Sequence, residues 1–296
     1  MRRVADREPI LVAGAGALGS VVGGLLAASG WPVTLLGRRA HLEEVGARGL
    51  LIDGLFGTHR VRGIECVTDV SELRGRYAAI LLTVKTYDTA AMAAAVAPFL
   101  APDGFMVSLQ NGLGNVEAAE RVLGAGRVLG ARVIFGSELV APGHARVTVY
   151  ADPVLIGSLD GSGAAAERWA VALAAAGIPA EPTGALLGAR YGELAAQPDT
   201  RAIMDTVIEE AFSVARAEDV ALRWPDAIAY RAAFYGRLVP STAEHRSSML
   251  QDIERGRPTE IDAMNGYIAA RGAARGVPAP VNATLTRLVR ARTGRA

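Results

Sequence analysis

Three glycines near the start of the chain have the spacing of a phosphate-binding turn between a strand and a helix. The turn follows the apolar run Ile10–Ala13, and its candidate cofactor-binding residues are Gly14, Ala15, Gly16, Ala17, Leu18 and Gly19. The first glycine permits a tight bend, the second lets the backbone approach a pyrophosphate, and the third lets the helix pack on the strand. N–H groups at the helix start then hold the phosphates. The spacing predicts a dinucleotide-binding unit; a tight turn without a ligand is the alternative.

The residues after the second predicted strand select the form of the dinucleotide. An NAD site usually has an acidic residue there, which accepts a hydrogen bond from the ribose 2′-hydroxyl. This chain instead has Gly37, Arg38 and Arg39, with no carboxylate before Glu43. A guanidinium matches phosphate oxygens and stays charged at any working pH. The pair therefore favours NADP(H), and a solvated arginine pair at a helix start is the alternative.

Two polar residues follow later predicted strands of the same sheet. Lys85, the only lysine of the chain, follows the strand at 78–84, and Asn111 follows the strand at 104–109. Ligands of open α/β sheets bind outside the carboxyl ends of the strands. We therefore expect Lys85 to meet a substrate or cofactor oxygen and Asn111 to offer an amide donor. A solvated loop charge and an Asx turn that caps the next helix are the alternatives.

The second half of the chain carries further polar candidates. Ser248 and Asp252 lie one turn apart on a predicted helix, and Glu260 and Asp262 follow shortly after. In one interpretation, Glu260 is a favourable charge at a helix start and Asp262 is a helix cap. In the other, a carboxylate here faces a ligand and binds its protons or hydroxyl groups. The residues alone leave both interpretations open.

The predicted secondary structure divides the chain into two parts. Short apolar strands alternate with helices in the first part, which is the pattern of a parallel sheet covered on both faces. Strands are predicted at 10–13, 32–36, 78–84, 104–109 and 128–135, with an antiparallel pair at 146–150 and 154–157. Helices are predicted at 20–29, 89–97, 113–122 and 164–176.

From residue 198 onward only helices are predicted. They lie at 199–218, 225–238, 242–255, 260–275 and 281–292. Ser241 with Glu244, and Thr259 with Asp262, have the spacing of capping boxes. We therefore predict a Rossmann-type, doubly wound α/β domain over 1–178 that binds NADP(H), and an all-α substrate and dimerisation domain over 179–296. A cleft between two such domains is the natural ligand site.

Composition excludes several classes of function. The formal net charge is +1, from 31 basic and 30 acidic residues, so nucleic acid and anionic membranes are not expected partners. A single cysteine, Cys66, excludes an internal disulfide, and the four histidines lack metal-ligand spacing. The N-terminus is unlike a signal peptide, and no apolar run approaches the ~20 residues of a membrane span. We expect a cytoplasmic protein. An apolar helical face can be core or dimer seam, so a homodimer is one option.

Five blocks of the sequence together resemble the ketopantoate reductases. They are Gly14-x-Gly16-Ala17-x-Gly19, Val84-Lys85, Gln110-Asn111-Gly112-x-Gly114, Ser247-Ser248-Met249-x-x-Asp252 and Gly256-Arg257-x-Thr259-Glu260-Ile261-Asp262-x-x-Asn265-Gly266. The resemblance covers nearly the whole chain. It implies hydride transfer from NADPH to a 2-keto acid, a reaction of pantothenate biosynthesis.

The resemblance also implies roles for individual residues. Arg38 would hold the 2′-phosphate of the cofactor, while Lys85 and Asn111 would line the nicotinamide and substrate end. Ser248 would hydrogen-bond the substrate carboxylate. Glu260 would contact substrate hydroxyl groups or the cofactor.

The chain departs from the family pattern in two places. His245 stands three residues before Ser248, where many relatives have Asn. Relatives also carry a Trp-x-Lys-Leu-x-x-Asn-x-x-x-Asn run in the helix that opens the second domain, and its lysine is taken as the general acid. Here residues 177–183 pass almost directly to 185–194, so roughly 20 residues, or about 30 Å of helix, are absent. No lysine follows Lys85.

Three explanations of this gap are open. The chain lacks a segment of its natural form, another group donates the proton, or the cleft serves chemistry other than ketone reduction. The candidate proton donors are Lys85, His245, Glu260 and Tyr191. The predicted reaction is hydride transfer to a small 2-keto acid, with Lys85, Asn111, Ser248 and Glu260 around the substrate. A non-reductive enzyme, for example one of cyclisation or isomerisation, and a non-catalytic NADP(H)-binding protein are the alternatives.

Overall fold

The fold consists of two compact units, Met1–Ala180 and Glu181–Ala296. The computed structural model describes residues 8–133, 135–150, 154–157, 191–220, 222, 224–241, 243 and 247–294. The first unit is α/β with a mostly parallel sheet, and the second is helical. The predicted fold class is confirmed. The helix predicted at 164–176 lies outside the described residues.

The first unit is built from two sheets and the helices that cover them. Its described strands are β1 (Ile10–Ala13), β2 (Val33–Leu36), β3 (Leu50–Gly54), β4 (His59–Val61), β5 (Glu65–Val67), β6 (Tyr77–Leu82), β7 (Leu100–Ser108), β8 (Val128–Arg132), β9 (Phe135–Ala141), β10 (His144–Tyr150) and β11 (Leu155–Gly157). Its described helices are α1 (Ala17–Ala28), α2 (Arg39–Arg48), α3 (Thr89–Val96) and α4 (Asn115–Leu123).

The main sheet has the order β11-β8-β7-β6-β1-β2-β5, and all its strands are parallel except β11. Strand β1 lies inside this sheet, between β6 and β2, and all four of its side chains are fully buried. Ile10 and Val12 pack into the core on one face, and Leu11 and Ala13 pack into the core on the other. The chain continues from β1 to β2 on one side and returns later to β6 on the other. The topological switch point therefore lies at the carboxyl end of β1.

A second, four-stranded sheet covers α1 on the side away from the main sheet. Its order is β4-β3-β10-β9. A Cβ atom on Gly23 would lie 2.7 Å from Leu35 of the main sheet, and one on Gly24 would lie 2.7 Å from Leu50 of the second. Since α1 is enclosed by both sheets, its sequence is apolar on every side.

The predicted strand at 128–135 is in fact two strands in different sheets. Strand β8 ends at Arg132 in the main sheet, and β9 begins at Phe135 in the second. The ring of Phe56 lies 5.6 Å from that of Phe135 and 5.5 Å from that of Tyr150, in edge-to-face contacts. This packing draws Phe135 away from the main sheet.

The predicted antiparallel pairing of 146–150 with 154–157 is wrong. Strand β10 pairs antiparallel with β9 and parallel with β3, whereas β11 pairs antiparallel with β8. The turn at Gly143 has a φ of 72°, which suits glycine, and it folds β10 back on β9. A local sequence pattern predicts that a segment is a strand but does not predict which strand it pairs with.

A buried histidine connects both helices near the glycine turn to the second sheet. His41 of α2 lies 2.9 Å through Nε2 from the hydroxyl of Ser20 in α1. Its Nδ1 accepts the backbone N–H of Gly143 at 3.0 Å. The proton of the neutral ring is therefore on Nε2, which donates to Ser20. Burial lowers the pKa of His41 from its ordinary value of 6.5.

The stability of the protein is expected to fall below about pH 6.5 because of His41. In the window between its lowered folded pKa and 6.5, the unfolded chain binds more protons than the folded chain, so acid favours unfolding. The stabilising effect of the neutral ring is complete above this window. Denaturant unfolding of the wild type and of His41→Asn, from about pH 5 to 8, measures this dependence. Equal pH slopes in both proteins would show that another group causes it.

The second unit is formed by helices. Its described helices are α5 (Tyr191–Ala196), α6 (Pro198–Ala217), α7 (Ala227–Ala233), α8 (Val239–Ser241), α9 (Ser248–Glu254), α10 (Asn265–Arg275) and α11 (Pro280–Arg292), with a π-helical turn at Phe234–Leu238. The predicted helix at 225–238 thus comprises α7 and this turn. Buried Glu210 of α6 accepts the N–H groups of Val281 and Asn282, both at 2.9 Å, and so caps α11.

Two predicted helix starts differ from the structure. Helix α9 is capped by Ser247, whose hydroxyl accepts the N–H of Leu250 at 3.1 Å; of the predicted capping pair, Glu244 lies outside the described residues. The capping box of Thr259 with Asp262 is wrong, because a short 3-10 turn at Ile261–Ala263 precedes α10. The carboxylate of Asp262 instead accepts a hydrogen bond from Arg290 of α11 at 2.8 Å. Asp262 therefore forms a contact with another helix and does not cap the helix that follows it.

Two features are absent from the part of the chain that the structure describes. None of the helices there combines the length and apolar character needed to cross a membrane. In the same part of the chain, no group of three or more His, Cys, Asp or Glu side chains is placed to hold a metal ion.

Candidate active site

The glycine turn follows β1 and bends directly into α1. The N–H groups of Gly14 and Ala15 both donate to the carbonyl oxygen of Leu36, at 3.0 and 2.8 Å. The N–H of Gly16 donates to the carbonyl oxygen of Gly14 at 2.6 Å. These three N–H groups are used within the protein. The hydroxyl of Thr83, just past β6, donates to the Gly14 carbonyl at 2.8 Å and fixes the turn to the neighbouring strand.

The three glycines of the turn have different physical roles. Gly14 has a φ of 115°, and a Cβ there would lie 2.6 Å from the backbone nitrogen of Val84. A Cβ on Gly19 would overlap the Gly14 carbonyl and lie 2.7 Å from the Thr83 hydroxyl. Gly16 has an ordinary φ of −86°, and the nearest atom to its Cβ position is 3.9 Å away. The fold thus requires Gly14 and Gly19, while the open space at Gly16 fits the close approach of a ligand.

The first turn of α1 presents donors beside this open space. Ala17, Leu18 and Gly19 begin the helix, so their N–H groups have no carbonyl four residues back within it. The first turn also contains no acidic side chain. The positive end of the helix dipole is therefore available to an anion.

Arg38 lies at the same edge of the sheet, directly after Gly37 and two residues after the end of β2. It is the N-cap residue of α2, it is exposed, and its side chain makes no hydrogen bond or ion pair with the rest of the described chain. Arg39, by contrast, lies 3.4 Å from Glu43. Of the two guanidiniums, Arg38 is the one with its donors unused by the protein. A phosphate group suits such a fork.

Lys85 and Asn111 follow adjacent parallel strands, β6 and β7. Lys85 is half-buried and precedes a 3-10 turn at Thr86–Asp88. Asn111 is also half-buried, and α4 is capped by Gly114 with no side-chain cap. The Asx-turn alternative for Asn111 therefore does not apply to the start of α4.

Arg38, the glycine turn, Lys85 and Asn111 follow four neighbouring strands in the order β2, β1, β6 and β7. Three interstrand spacings amount to about 14 Å. A row of this length along one sheet edge suits an extended dinucleotide, with its adenosine end near Arg38 and its other end near Lys85 and Asn111.

A buried polar network that sequence reasoning missed lies behind Lys85 and Asn111. The side-chain amide of Gln110 donates to the Val84 carbonyl at 3.0 Å and to the Thr89 hydroxyl at 2.6 Å. Thr89 donates to Asn115 Oδ1 at 2.8 Å, and Asn115 Nδ2 donates to the Asn111 carbonyl at 3.0 Å. The sequence signal that could have indicated this network was the presence of uncharged polar residues next to apolar strand and helix segments.

The second unit contains the remaining predicted site residues. Ser248 begins α9, and the buried Asp252 follows one turn later. Glu260 is also buried, with 7% of its surface exposed, and directly precedes the 3-10 turn. Tyr191 begins α5, and His245 lies outside the described residues.

Protein-family models match both units of the chain. The model described as ketopantoate reductase PanE/ApbA matches residues 10–161, and the one described as ketopantoate reductase PanE/ApbA C terminal matches residues 165–293. The chain belongs to the ketopantoate reductase family. It is an oxidoreductase of the 2-dehydropantoate 2-reductase type, and the expected nicotinamide dinucleotide cofactor is confirmed.

Individual relatives agree with this membership. The chain is 35% identical to a 2-dehydropantoate 2-reductase of Aquifex aeolicus, over 95% of this chain and 96% of that protein. It is similar to a PanE/ApbA family ketopantoate reductase from Ralstonia eutropha, with 32% identity, a TM-score of 0.80 and coverage of 97% and 98%. It is also similar to D-mandelate dehydrogenase solved with NADH and anilino(oxo)acetate, with 26% identity, a TM-score of 0.84 and coverage of 97% and 98%.

The alignment with the Aquifex aeolicus protein also bears on the gap before α5. It runs over 306 positions, more than the 296 residues of this chain, so the relative contains residues with no counterpart here. The sequence places the gap between 177–183 and 185–194, of which only the last few residues are described.

Replacing Gly16 with Ala is expected to weaken dinucleotide binding by roughly 10- to 100-fold, because the methyl group would fill the space for the pyrophosphate. The melting temperature should stay within about 2 °C, since no protein atom is crowded. Gly19→Ala is the matched comparison and should destabilise the fold, because its methyl group overlaps the Gly14 carbonyl. Thermal melts and fluorescence titration measure both effects. Unchanged affinity in Gly16→Ala would contradict the assigned phosphate position.

Proposed function

We propose that this chain reduces a small 2-keto acid related to ketopantoate to the 2-hydroxy acid, with NADPH as the reductant. The observation that carries the proposal is the position of Lys85 and Asn111 at the same sheet edge as the glycine turn, in a chain of this family. The cytoplasmic location and the homodimer option expected from the sequence belong to the same proposal.

The first unit has the residues to hold NADPH. The N–H groups of Ala17 and Leu18 would bind the pyrophosphate beside Gly16, and the Arg38 guanidinium would bind the 2′-phosphate. When bound, the cofactor supplies a hydride to the carbonyl carbon of the substrate.

Lys85 is the proposed proton donor. As the carbonyl carbon gains a hydride, its oxygen gains negative charge and needs a proton. An ammonium group neutralises that charge and carries the proton, and Lys85 is the only such side chain in the sequence. The Asn111 amide would donate a hydrogen bond at the same end of the site and orient the reacting groups.

The second unit would recognise the rest of the substrate. The Ser248 hydroxyl would donate a hydrogen bond to the substrate carboxylate. The Glu260 carboxylate would accept a hydrogen bond from a substrate hydroxyl group or from the cofactor. Ketopantoate has both a carboxylate and a hydroxyl group, so it satisfies both residues.

The similarity to D-mandelate dehydrogenase favours a second substrate class. That protein is named for a 2-hydroxy acid with an aromatic side chain, and its structure covers 97% of this chain. An aromatic 2-keto acid is therefore the second candidate substrate in the same reaction.

The test follows NADPH absorbance with ketopantoate, branched aliphatic 2-keto acids and phenylglyoxylate. We expect turnover with at least one of them and a preference for NADPH over NADH of about tenfold or more. NADPH binding at micromolar concentration without turnover of any acid would contradict the proposal. It would leave the non-reductive enzyme and the non-catalytic binding protein as the remaining functions.

A further inference from the structure

The polar network behind Lys85 and Asn111 connects four segments of the first unit. Its members Ser108, Gln110, Thr89 and Asn115 are all buried, with 7% exposure at most. Ser108 donates to Gln110 Oε1 at 3.1 Å, and the Gln110 amide continues the chain to Thr89 and Val84. The network therefore joins the ends of β6 and β7 to the starts of α3 and α4.

Thr89 is the central member, because its hydroxyl group connects the amide of Gln110 to that of Asn115. It accepts from Gln110 Nε2 at 2.6 Å and donates to Asn115 Oδ1 at 2.8 Å. A hydroxyl group does both through one oxygen atom, whereas each polar atom of an amide only donates or only accepts. The network ends on the carbonyl groups of Val84 and Asn111, which can only accept, so the direction of every hydrogen bond in the network follows.

The two ends of the network lie beside the candidate catalytic residues. At one end, Gln110 holds the carbonyl of Val84, whose peptide unit continues directly into Lys85. At the other end, Asn115 donates to the carbonyls of Asn111 and Gly112, at 3.0 and 3.1 Å. None of these bonds uses the side chain of Lys85 or Asn111. The network instead forms hydrogen bonds with the backbone at or next to these two residues and so restrains the position of their Cα atoms.

We infer that Thr89 and Gln110 are positioning residues that fix the separation of the Lys85 and Asn111 backbones, and thereby set the rate of hydride transfer. This inference rests on the proposed function. A buried, fully bonded network is rigid, and a misplacement of about 1 Å in a reacting group lowers a rate by roughly 100-fold. The adenosine half of the cofactor site, at the glycine turn and Arg38, contains no member of the network.

Thr89→Val is the main test, because valine keeps the shape of threonine and removes the hydroxyl. We expect kcat with NADPH and the best 2-keto acid to fall by roughly 10- to 100-fold. The dissociation constant of 2′,5′-ADP, which occupies only the adenosine half, should stay within about twofold. Thr89→Ser retains the hydroxyl and should restore most of kcat. Wild-type kcat in Thr89→Val would overturn the inference.

Thr34→Val is the matched control. Thr34 is another buried threonine, and its hydroxyl contacts Glu65 and the Tyr77 hydroxyl near the amino ends of β5 and β6. We expect this variant to lose stability and keep kcat. An equal loss of kcat in Thr34→Val and Thr89→Val, at equal losses of stability, would mean that general destabilisation is the cause and would overturn the inference.

Two further measurements keep the outcome decisive. If Thr89→Val does not fold, Gln110→Met, which removes the amide and keeps the volume, is measured in the same way and judged by the same criteria. If the wild type reduces no 2-keto acid, the proposed function fails, and the ratio of the NADPH and 2′,5′-ADP dissociation constants becomes the readout. A rise of this ratio in the variant, relative to wild type, supports the positioning role; an unchanged ratio overturns it.

Discussion

Replacing Lys85 with Met is expected to lower kcat for 2-keto acid reduction by about 10²- to 10⁴-fold, with little change in the dissociation constant of 2′,5′-ADP. Methionine retains most of the volume of lysine and removes the ammonium group, and with it the proton and the charge that the product oxygen requires. Stopped-flow measurement of NADPH oxidation in a single turnover isolates this step from product release.

Chemical rescue separates the amine from the rest of the side chain. Lys85→Cys followed by alkylation with 2-bromoethylamine rebuilds an amine at this position, and kcat should recover. The natural Cys66 is a suitable bystander, because burial and the nearby Glu65 raise the pKa of its thiol to about 11 and so suppress its reaction. The wild type treated with the same reagent is the control. If Lys85→Met retains its kcat, the proton comes from His245, Glu260 or Tyr191 instead.

Arg38→Ala is expected to lower kcat/KM for NADPH by about 10- to 100-fold and to leave kcat/KM for NADH nearly unchanged. The two cofactors differ only in the 2′-phosphate, so the change in their ratio measures the guanidinium–phosphate contact alone. The hydrogen bonds lost are charge-assisted, which accounts for the large effect. The side chain is exposed and unpaired within the described chain, so its removal should not alter the melting temperature.

Two arginines of α2, Arg48 and Arg39, provide comparisons for the Arg38 experiment. Arg48→Ala removes the same charge at the far end of the helix, where Arg48 lies 3.4 Å from Glu44. It should not change the cofactor preference. Arg39→Ala tests the second guanidinium of the pair, which lies 3.4 Å from Glu43 and should contribute less. A larger loss of NADPH preference in Arg39→Ala than in Arg38→Ala would transfer the phosphate contact to Arg39.

Local pattern alone was enough to predict the strands and helices nearest the candidate site. Residues 32–36, 78–84 and 104–109 were predicted as strands, and the structure has Val33–Leu36, Tyr77–Leu82 and Leu100–Ser108. These runs are apolar because both faces of the main sheet are covered, so a continuous apolar run in the sequence predicts a buried strand. The order in which the glycine turn, Lys85 and Asn111 follow their strands then places them at one sheet edge.

Most of the second sheet was not predicted from local sequence pattern. Its strands β3, β4 and β9 were not predicted, and Phe135 was assigned to the wrong sheet. The sequence did contain one clue, because the run Gly19–Leu26 of α1 has small or apolar residues on every side of the helix, and the structure buries all of them. A second layer therefore had to cover the face turned away from the main sheet. Apolar character requires a cover without specifying which segment provides it.

Residue types and their spacing were enough to predict the class of this protein and the residue types of its candidate site, because a phosphate-binding turn needs its glycines at fixed spacing and a 2′-phosphate needs a fixed positive charge. The three-dimensional structure was needed to show which of the glycines has open space beside it, which arginine has unused donors, and which buried side chains hydrogen-bond the backbone at or next to Lys85 and Asn111. Space at Gly16, pairing at Arg39 and the hydrogen bonds of Thr89 all depend on atoms from distant parts of the chain. Contacts of that kind follow from long-range packing, which no local periodicity encodes.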